Sequence, residues 1–510
     1  MSAASLWAQT AEDAILFSQE YYEGTARSMA MGNAFTAVGG DLGAVSINPA
    51  SSGIYRYSQI AVTPSITSTP FESTYLGTSR NGINSRMTFS NAGFVASINT
   101  GNRSGLYNFN FAIVYNKKRT FNSTLEANGQ TDETSMLSSL AASLNGYHSP
   151  RLTESKDNNP YYSTDAPWRS IVAWNAYGLA TLKDIDEKMY PENDYTYVAS
   201  TENFDKQTKE VWVADFLNQD FYRKTYGGIQ EYAFNFGFNV NDMFYFGVNL
   251  NLEAVNYTEL QTYSEKAYNP SAFDDGFVSM TTNYWRQTTG AGFNAKFGAI
   301  VTPVAGLRLG ATFTTPTWYG LRDSWNYDME TVFERKDTRE ILRNKATSAT
   351  GIWNYKLSAP MRFSVGAAYT FGKFGLISAE YERVQYSGAL LKDTNGRTSA
   401  YEYENQAISS GFGASNILRI GAEVWIQRLA VRGGYNRFGA YASGNEAVSN
   451  WSCGLGFNIT KRVVLDAAFQ RWYMGHQQFS LYDSYFDVES PVGTMSNKTN
   501  KVVLTLSFKF

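Results

Sequence analysis

The chain predicts an all-β fold, a fourteen-stranded antiparallel transmembrane β-barrel with an N-terminal hatch in its lumen. Three observations point there. The closing segment 502–510 puts Val502, Leu504, Leu506, Phe508 and Phe510 on one face with polar residues between them, and such period-2 alternation makes a strand with one lipid-compatible side and one polar side. Windows of the same kind recur along the whole chain. Composition then combines 15% aromatic residues, with Tyr 35, Phe 33 and Gly 42, with a mean hydropathy of only −0.34. No stretch approaches the ~20 consecutive apolar residues of a spanning helix. Only helices and closed barrels satisfy every backbone polar group in lipid, so a membrane reading of this chain is a barrel reading.

The first segment, 1–9, has no basic start and too short an apolar run to be a complete export signal. With Trp7-Ala8 before Gln9 it reads as the tail of one, or as a misassigned start. Residues 10–55 do not alternate. Thr10-Ala-Glu-Asp13 has the form of a capping box opening a short helix through Ile15, Leu16 and Phe17. The string from Gly24 to Ala50 is dense in glycine and small residues, which permits tight backbone packing in a confined space. This is the expected hatch, and 56–510 is the expected barrel.

Strand candidates follow at 56–64, 93–100, 106–116, 231–240, 243–256, 289–301, 306–314, 361–371, 374–385, 417–427, 429–438, 450–459, 463–473 and 500–510. Their spacing alternates. Short gaps at 101–105, 241–242, 302–305, 372–373, 427–428 and 460–462 are turns. Long gaps at 65–92, 117–230, 257–288, 315–360, 386–416 and 474–499, with a shorter one at 439–449, are outer loops. Outer-membrane barrels pair short periplasmic turns with long outer loops, and an even strand count puts both termini at the periplasmic rim. The 117–230 segment stands out as a long insertion rich in Asn, Asp, Tyr and Ser, suited to an outer cap or to a protein partner.

The two-residue turn Gln427-Arg428 sets a register. It places Glu423 opposite Arg432 on the polar face of the hairpin, as an ion pair in the lumen. Lys296, Arg308, Arg362, Glu380 and Asp466 fall on lumen faces as well. A charged lumen in a barrel of this size implies water or a plug inside.

Several function classes are excluded by what the sequence lacks. A net charge of −3 without a basic cluster gives no footprint for nucleic acid. One cysteine, Cys453, allows neither an internal disulfide nor a CxxC motif. His148 and His476 are the only histidines, in outer gaps without a nucleophile signature, so neither hydrolysis nor histidine ligation of zinc or haem is expected. No phosphate-loop motif is present. The expectation is a non-enzyme without cofactor or metal.

The string Gly24, Arg27, Gly32, Ala34, Gly43, Ser46 and the triplet Asn48-Pro49-Ala50 resembles the N-terminal hatch of the FadL/TodX family of outer-membrane transport proteins, and the fourteen strands and terminal phenylalanine extend the resemblance over essentially the whole chain. It implies passive uptake of hydrophobic compounds such as long-chain fatty acids through a hatch-gated barrel in the outer membrane, with membrane lipid and a hydrophobic small molecule as partners. Met29, Met31 and Phe35 are the candidate ligand contacts, because methionine and aromatic side chains adapt to flexible apolar ligands. The Gly24–Ala34 string is also similar to the start of the related outer-membrane shuttle protein of type IX secretion. That similarity implies the alternative role, a non-transporting barrel that serves as a structural or docking component of a secretion or assembly complex.

Overall fold

The computed structural model describes residues 10–486 and 488–510. The reading of residues 1–9 as a signal remnant lies outside them. Among the described residues no helix is long and apolar enough to cross a membrane. The chain instead folds into one closed sheet. Its wall strands, in chain order, are β1 (Gln59–Tyr75), β2 (Thr78–Asn99), β3 (Leu106–Thr120), β4 (Ser123–Thr131), β5 (Leu217–Val240), β6 (Phe244–Ala267), β7 (Phe277–Val304), β8 (Leu307–Thr314), β9 (Thr317–Glu334), β10 (Ile341–Thr347), β11 (Gly351–Ala359), β12 (Arg362–Thr370), β13 (Gly375–Gln385), β14 (Ala414–Ile426), β15 (Leu429–Phe438), β16 (Val448–Asn458), β17 (Val463–Ser480) and β18 (Val492–Lys509), with the short segment Leu390–Lys392 added onto β11.

Several of these are pieces of one strand line. β3 and β4 form the third, β8 and β9 the seventh, and β10, β11 and β12 the eighth, which makes fourteen lines, each antiparallel to the next. The ring closes where β18 pairs back onto β1, with Gln59 opposite Lys509. Pro316 and Pro360 explain the breaks in the seventh and eighth lines. Both fall in the gap between the Thr314–Arg362 and Thr317–Ala359 rungs, and proline cannot donate to a ladder.

The outward face gives the depth of the lipid layer. On β6 the outward positions run Phe244, Phe246, Val248, Leu250, Leu252 and then change to Asn256, Thr262 and Lys266. The apolar part spans about 20 Å along the barrel axis at ordinary rise and tilt, close to the ~25 Å apolar band of outer-membrane barrels. The rest of the strand projects beyond it. That projection corrects the sequence reading of the outer loops. Segment 65–92 is mostly strand, closed by the two-residue turn Leu76-Gly77 with positive φ at both residues. Segments 257–288, 315–360 and 474–499 likewise contain long stretches of β6, β7, β9 to β11, β17 and β18. Above the lipid both faces meet water or protein, so apolar alternation stops while the hydrogen-bond ladder continues.

The 117–230 insertion shrinks for the same reason. Its two ends belong to β3, β4 and β5, and the part outside the wall is 132–216. This part is a folded cap. Its helices α4 (Met136–Leu144) and α5 (Trp168–Asn175) bury Leu137, Leu140, Ile171 and Val172 against Phe221, Tyr263, Phe277, Met280 and Met329 on the inner faces of the projecting strands. Glu265 of β6 anchors it. The carboxylate accepts from the Met136 N–H at 2.7 Å and from the Ser135 hydroxyl at 2.5 Å, at the N-terminus of α4 where the helix dipole favours negative charge.

Candidate functional site

The hatch fills the lumen at the depth of the lipid band. Its helices are α1 (Ala11–Ser18), α2 (Ala26–Ala30) and α3 (Leu42–Ile47), followed by a 3₁₀ turn over Pro49–Ile54. Thr10 and Asp13 form a reciprocal capping box on α1, and the Asp41 carboxylate accepts from the Gly43 and Ala44 N–H groups to start α3. Asn48 stops α3 and starts the next turn. Its Oδ1 accepts from Ala50 N–H while its Nδ2 donates to the Thr36 carbonyl at 2.6 Å, with Pro49 in the first position of the turn.

Glycines on the wall let this backbone come into contact. A Cβ on Gly247 would fall on the Pro49 carbonyl, one on Gly298 on Asn48, one on Gly310 on the Thr36 carbonyl, and one on Gly421 on Met31. Gly32 needs its own freedom twice over, with φ +62° and with Asn436 and the Ile420 carbonyl beside it. Inside the hatch, Gly24 and Gly43 touch backbone to backbone. Wall side chains then satisfy hatch carbonyls that would otherwise be buried unpaired: Asn235 to Pro49 at 3.0 Å, Asn249 to Val45 at 2.8 Å, Gln470 to Met29 at 2.9 Å and Arg308 to Val38 at 2.6 Å.

Ion pairs add a second set of bonds between hatch and wall. Arg27 holds Glu423, which also accepts from Arg432 Nε at 2.6 Å, and Arg432 reaches Asp466 at 2.6 Å. Glu423 and Arg432 sit directly opposite one another on β14 and β15. Glu20 takes Lys118 at 2.7 Å and Arg362 at 2.9 Å, and these continue to Glu253 and Glu382. Glu23 binds Lys501 and the Ser90 hydroxyl, while Asp13 binds Arg286. Removing one partner from such a pair strands a buried charge, so each pair resists hatch displacement. A cavity of about 20 Å³ remains between Tyr22, Ile47, Lys296 and Arg419, room for a single water. Among the described residues no group of three His, Cys, Asp or Glu is placed to hold a metal ion.

Met29, Met31 and Phe35 are each 0% exposed. Met29 packs with Ala26, Ala30, Ala468 and Val503, whereas Met31 and Phe35 pack with Ala37, Ala44, Ala368 and Leu376. They do not face a common cavity of the closed hatch. Arg27 lies over the Phe35 ring at 5.5 Å. His148 pairs with Asp194 and His476 with Glu446, both on the surface.

One place in the wall lacks a continuous ladder. β2 and β3 pair only from Asn91–Asn116 down to Asn99–Asn108. Above this β2 keeps β1 as its partner, while β3 and then β4 keep β5. β2 bulges at Ser90, β3 bulges at Lys118, and the hatch supplies the missing partner, donating from the Tyr21 and Glu23 N–H groups to the Lys118 and Lys117 carbonyls at 2.9 Å. Farther out only side chains bridge from β2 to the third line: Arg86 to Asn122, Asn84 to Thr124 and Arg80 to Asn128. Phe89, Met87 and Ile83 line the outside of this seam, at 54%, 68% and 72% exposure. On the inside, Phe17 of α1 packs with Phe121, Tyr257, Tyr319 and Tyr355 in a buried aromatic cluster. Sequence reasoning missed the hatch carboxylates Glu20 and Glu23 and the seam. The signal for the seam was Lys117-Lys118-Arg119, a charge run at the end of an apolar strand.

No protein-family model and no curated protein matches the chain. Among solved structures, a FadL homologue of Pseudomonas aeruginosa superposes with a TM-score of 0.55 at 12% identity, over 96% of this chain and 99% of that one. The toluene transporter TodX of P. putida gives 0.50 at 11% identity, over 96% and 99%. This is the FadL/TodX-type barrel fold. At these identities the likeness is one of fold, and it covers the FadL-type hatch as well as the wall.

Proposed function

We propose that this FadL-type barrel sits in the bacterial outer membrane, with both termini periplasmic, and takes up hydrophobic compounds passively. The seam between β2 and the third strand line carries the reading. It runs through the wall beside the buried aromatic cluster, and its lower end at Ser90 lies within the apolar band. A hydrophobic compound gains about 25 cal/mol for each Å² it removes from water, so a path from water past aromatic side chains into the acyl layer runs downhill without an energy source. At that lower end Tyr21 and Glu23 of the hatch close the gap, so a ligand reaches the acyl layer when this edge of the hatch shifts. Long-chain fatty acids are the expected substrates, and Met29, Met31 and Phe35 contact ligand only when the hatch shifts.

The experiment locks the seam. In a Cys453→Ser background, Asn84→Cys with Thr124→Cys places two thiols where the native side chains meet at 3.3 Å. Uptake of labelled oleate and of toluene by cells is then measured with and without reductant. Uptake lost on oxidation and restored on reduction is the expected result, and uptake indifferent to the crosslink overturns the lateral path.

A further inference from the structure

The outer wall carries a recess that neither hatch nor seam uses. β17 bulges between Tyr473 and His476, which leaves Met474 and Gly475 without rungs on β18. Gly475 takes φ +74°, a value L side chains rarely adopt. The bulge opens a space of about 480 Å³ above Ser496 and Lys498 of β18, with Glu72 of β1 and Tyr473 as walls. That is within the ~300–1,000 Å³ of small-ligand sites. Glu446, from the loop between β15 and β16, closes over it and accepts from the His476 N–H at 3.2 Å.

Height and charge narrow the occupant. The apolar band ends on this side at Ile66 and Val502, which face each other, and the recess begins near Lys498 and reaches Thr74 opposite Thr494. Four to eight residues of tilted strand raise it about 10–20 Å above the hydrocarbon. A phospholipid headgroup extends only about 5–8 Å, so it does not reach. Two carboxylates against one lysine leave the lining net negative, which repels phosphate and carboxylate ligands. A neutral, hydroxyl-rich ligand meets the opposite situation. Its O–H groups donate to Glu72 and Glu446 in charge-assisted hydrogen bonds, and its C–H face packs on the Tyr473 ring.

We propose that this recess binds a neutral saccharide, either free or as the extended headgroup of an outer-leaflet glycolipid. The height argument rests on the membrane reading above, whereas the saccharide chemistry does not. The full chain in detergent micelles is tested by saturation-transfer NMR with N,N′-diacetylchitobiose and maltotetraose as free sugars, digalactosyldiacylglycerol as a neutral glycolipid, and phosphatidylglycerol as control. Binding of a free sugar, of the glycolipid, or of both supports the proposal and tells the sources apart. Tyr473→Ala is expected to weaken it roughly tenfold and Ser496→Trp, which fills the space, to abolish it, while heat-modifiable gel mobility shows that both variants fold. Absence of binding below about 10 mM, binding unchanged in both variants, or equal binding of phosphatidylglycerol overturns it. Uptake assayed on Ser496→Trp is expected to match the parent, so failure of the uptake reading and failure of this one give different results.

Discussion

Arg27 of the hatch grips Glu423 of the wall with two parallel bonds, Nε to Oε2 and Nη2 to Oε1, both at 2.9 Å. Such a planar, bidentate pair fixes orientation as well as distance. Because Arg432 takes a further bond to the same carboxylate, Glu423→Ala would leave two guanidinium groups facing each other. We expect a loss of about 3 kcal/mol, read as a lower unfolding temperature and faster hydrogen exchange over residues 24–48. Glu423→Gln should recover part of it. Unchanged exchange in the alanine variant would show that the pair does not hold the hatch.

The glycine contacts make a sharper test of the same seating. Gly247 faces the Pro49 carbonyl with no room for a side chain, whereas a Cβ on Gly320 would meet nothing within 4 Å. Neither has positive φ, so valine tests space alone. Gly247→Val is expected to unseat the hatch and let ions through a reconstituted barrel, and Gly320→Val to leave conductance at the parent level. Equal conductance in the two variants would mean that the hatch tolerates a shift at Pro49.

Met29, Met31 and Phe35 invite a conservative comparison. Each is buried against the wall, so an aspartate there strands a carboxylate in an apolar setting and should loosen the hatch. Met31→Leu keeps volume and apolarity and should cost less than about 1.5 kcal/mol. If these residues only pack, Met31→Leu leaves the concentration dependence of uptake unchanged. A changed half-saturation concentration with an intact hatch would assign Met31 to the ligand path.

Within the cap, burial holds the Glu202 carboxyl above the ordinary glutamate range, opposed by the bond from the Ala199 N–H at 2.8 Å. A folded-state value raised in this way means that the folded cap binds the proton more tightly than the unfolded chain does. The contribution is therefore fully present below the ordinary glutamate range and is lost as pH rises through the raised one. Protection factors over 197–213, taken relative to the intrinsic exchange rate at each pH, should be higher at pH 4 than at pH 7, with Glu202→Gln flattening the difference. A slope of the opposite sign would place the group below its ordinary value.

What the sequence made legible follows from where lipid is. Within the band, alternation marks every strand line, because one face must be apolar and the other not. Phe244, Phe246 and Val248 against Asn249 and Asn251 carry that signal. Beyond the band, Thr258 and Ser264 on one face and Glu265 on the other carry none, although the ladder is unbroken. The Glu423–Arg432 register could be counted from a two-residue turn, since a slip of one would flip every side chain. The pairing of Arg27 with Glu423 could not, because contacts across 396 residues of sequence leave no local pattern. The run Lys117-Lys118-Arg119 marks where the third strand changes, but not that β3 there parts from β2 and stays with β5.

The cap separates uptake from docking, and the wall permits its clean removal. Thr131 of β4 stands directly opposite Leu217 of β5, so a short Asn-Gly turn can join the two strands in place of 132–216 and keep the ladder in register. Phe221, Tyr263 and Phe277 would then lose their cover, which calls for polar replacements at these positions in the same variant. If the barrel is a conduit, assembly and seam are untouched, and uptake of hydrophobic compounds should persist at or above the parent rate, since the cap stands over the mouth. A docking protein would lose its function with the cap. Uptake absent from the parent, together with a stable co-purifying protein that disappears when 132–216 is removed, would decide for the secretion or assembly role. Uptake retained in the capless chain and blocked again by the oxidised Asn84→Cys, Thr124→Cys pair would place the path in the wall and leave the cap as its cover.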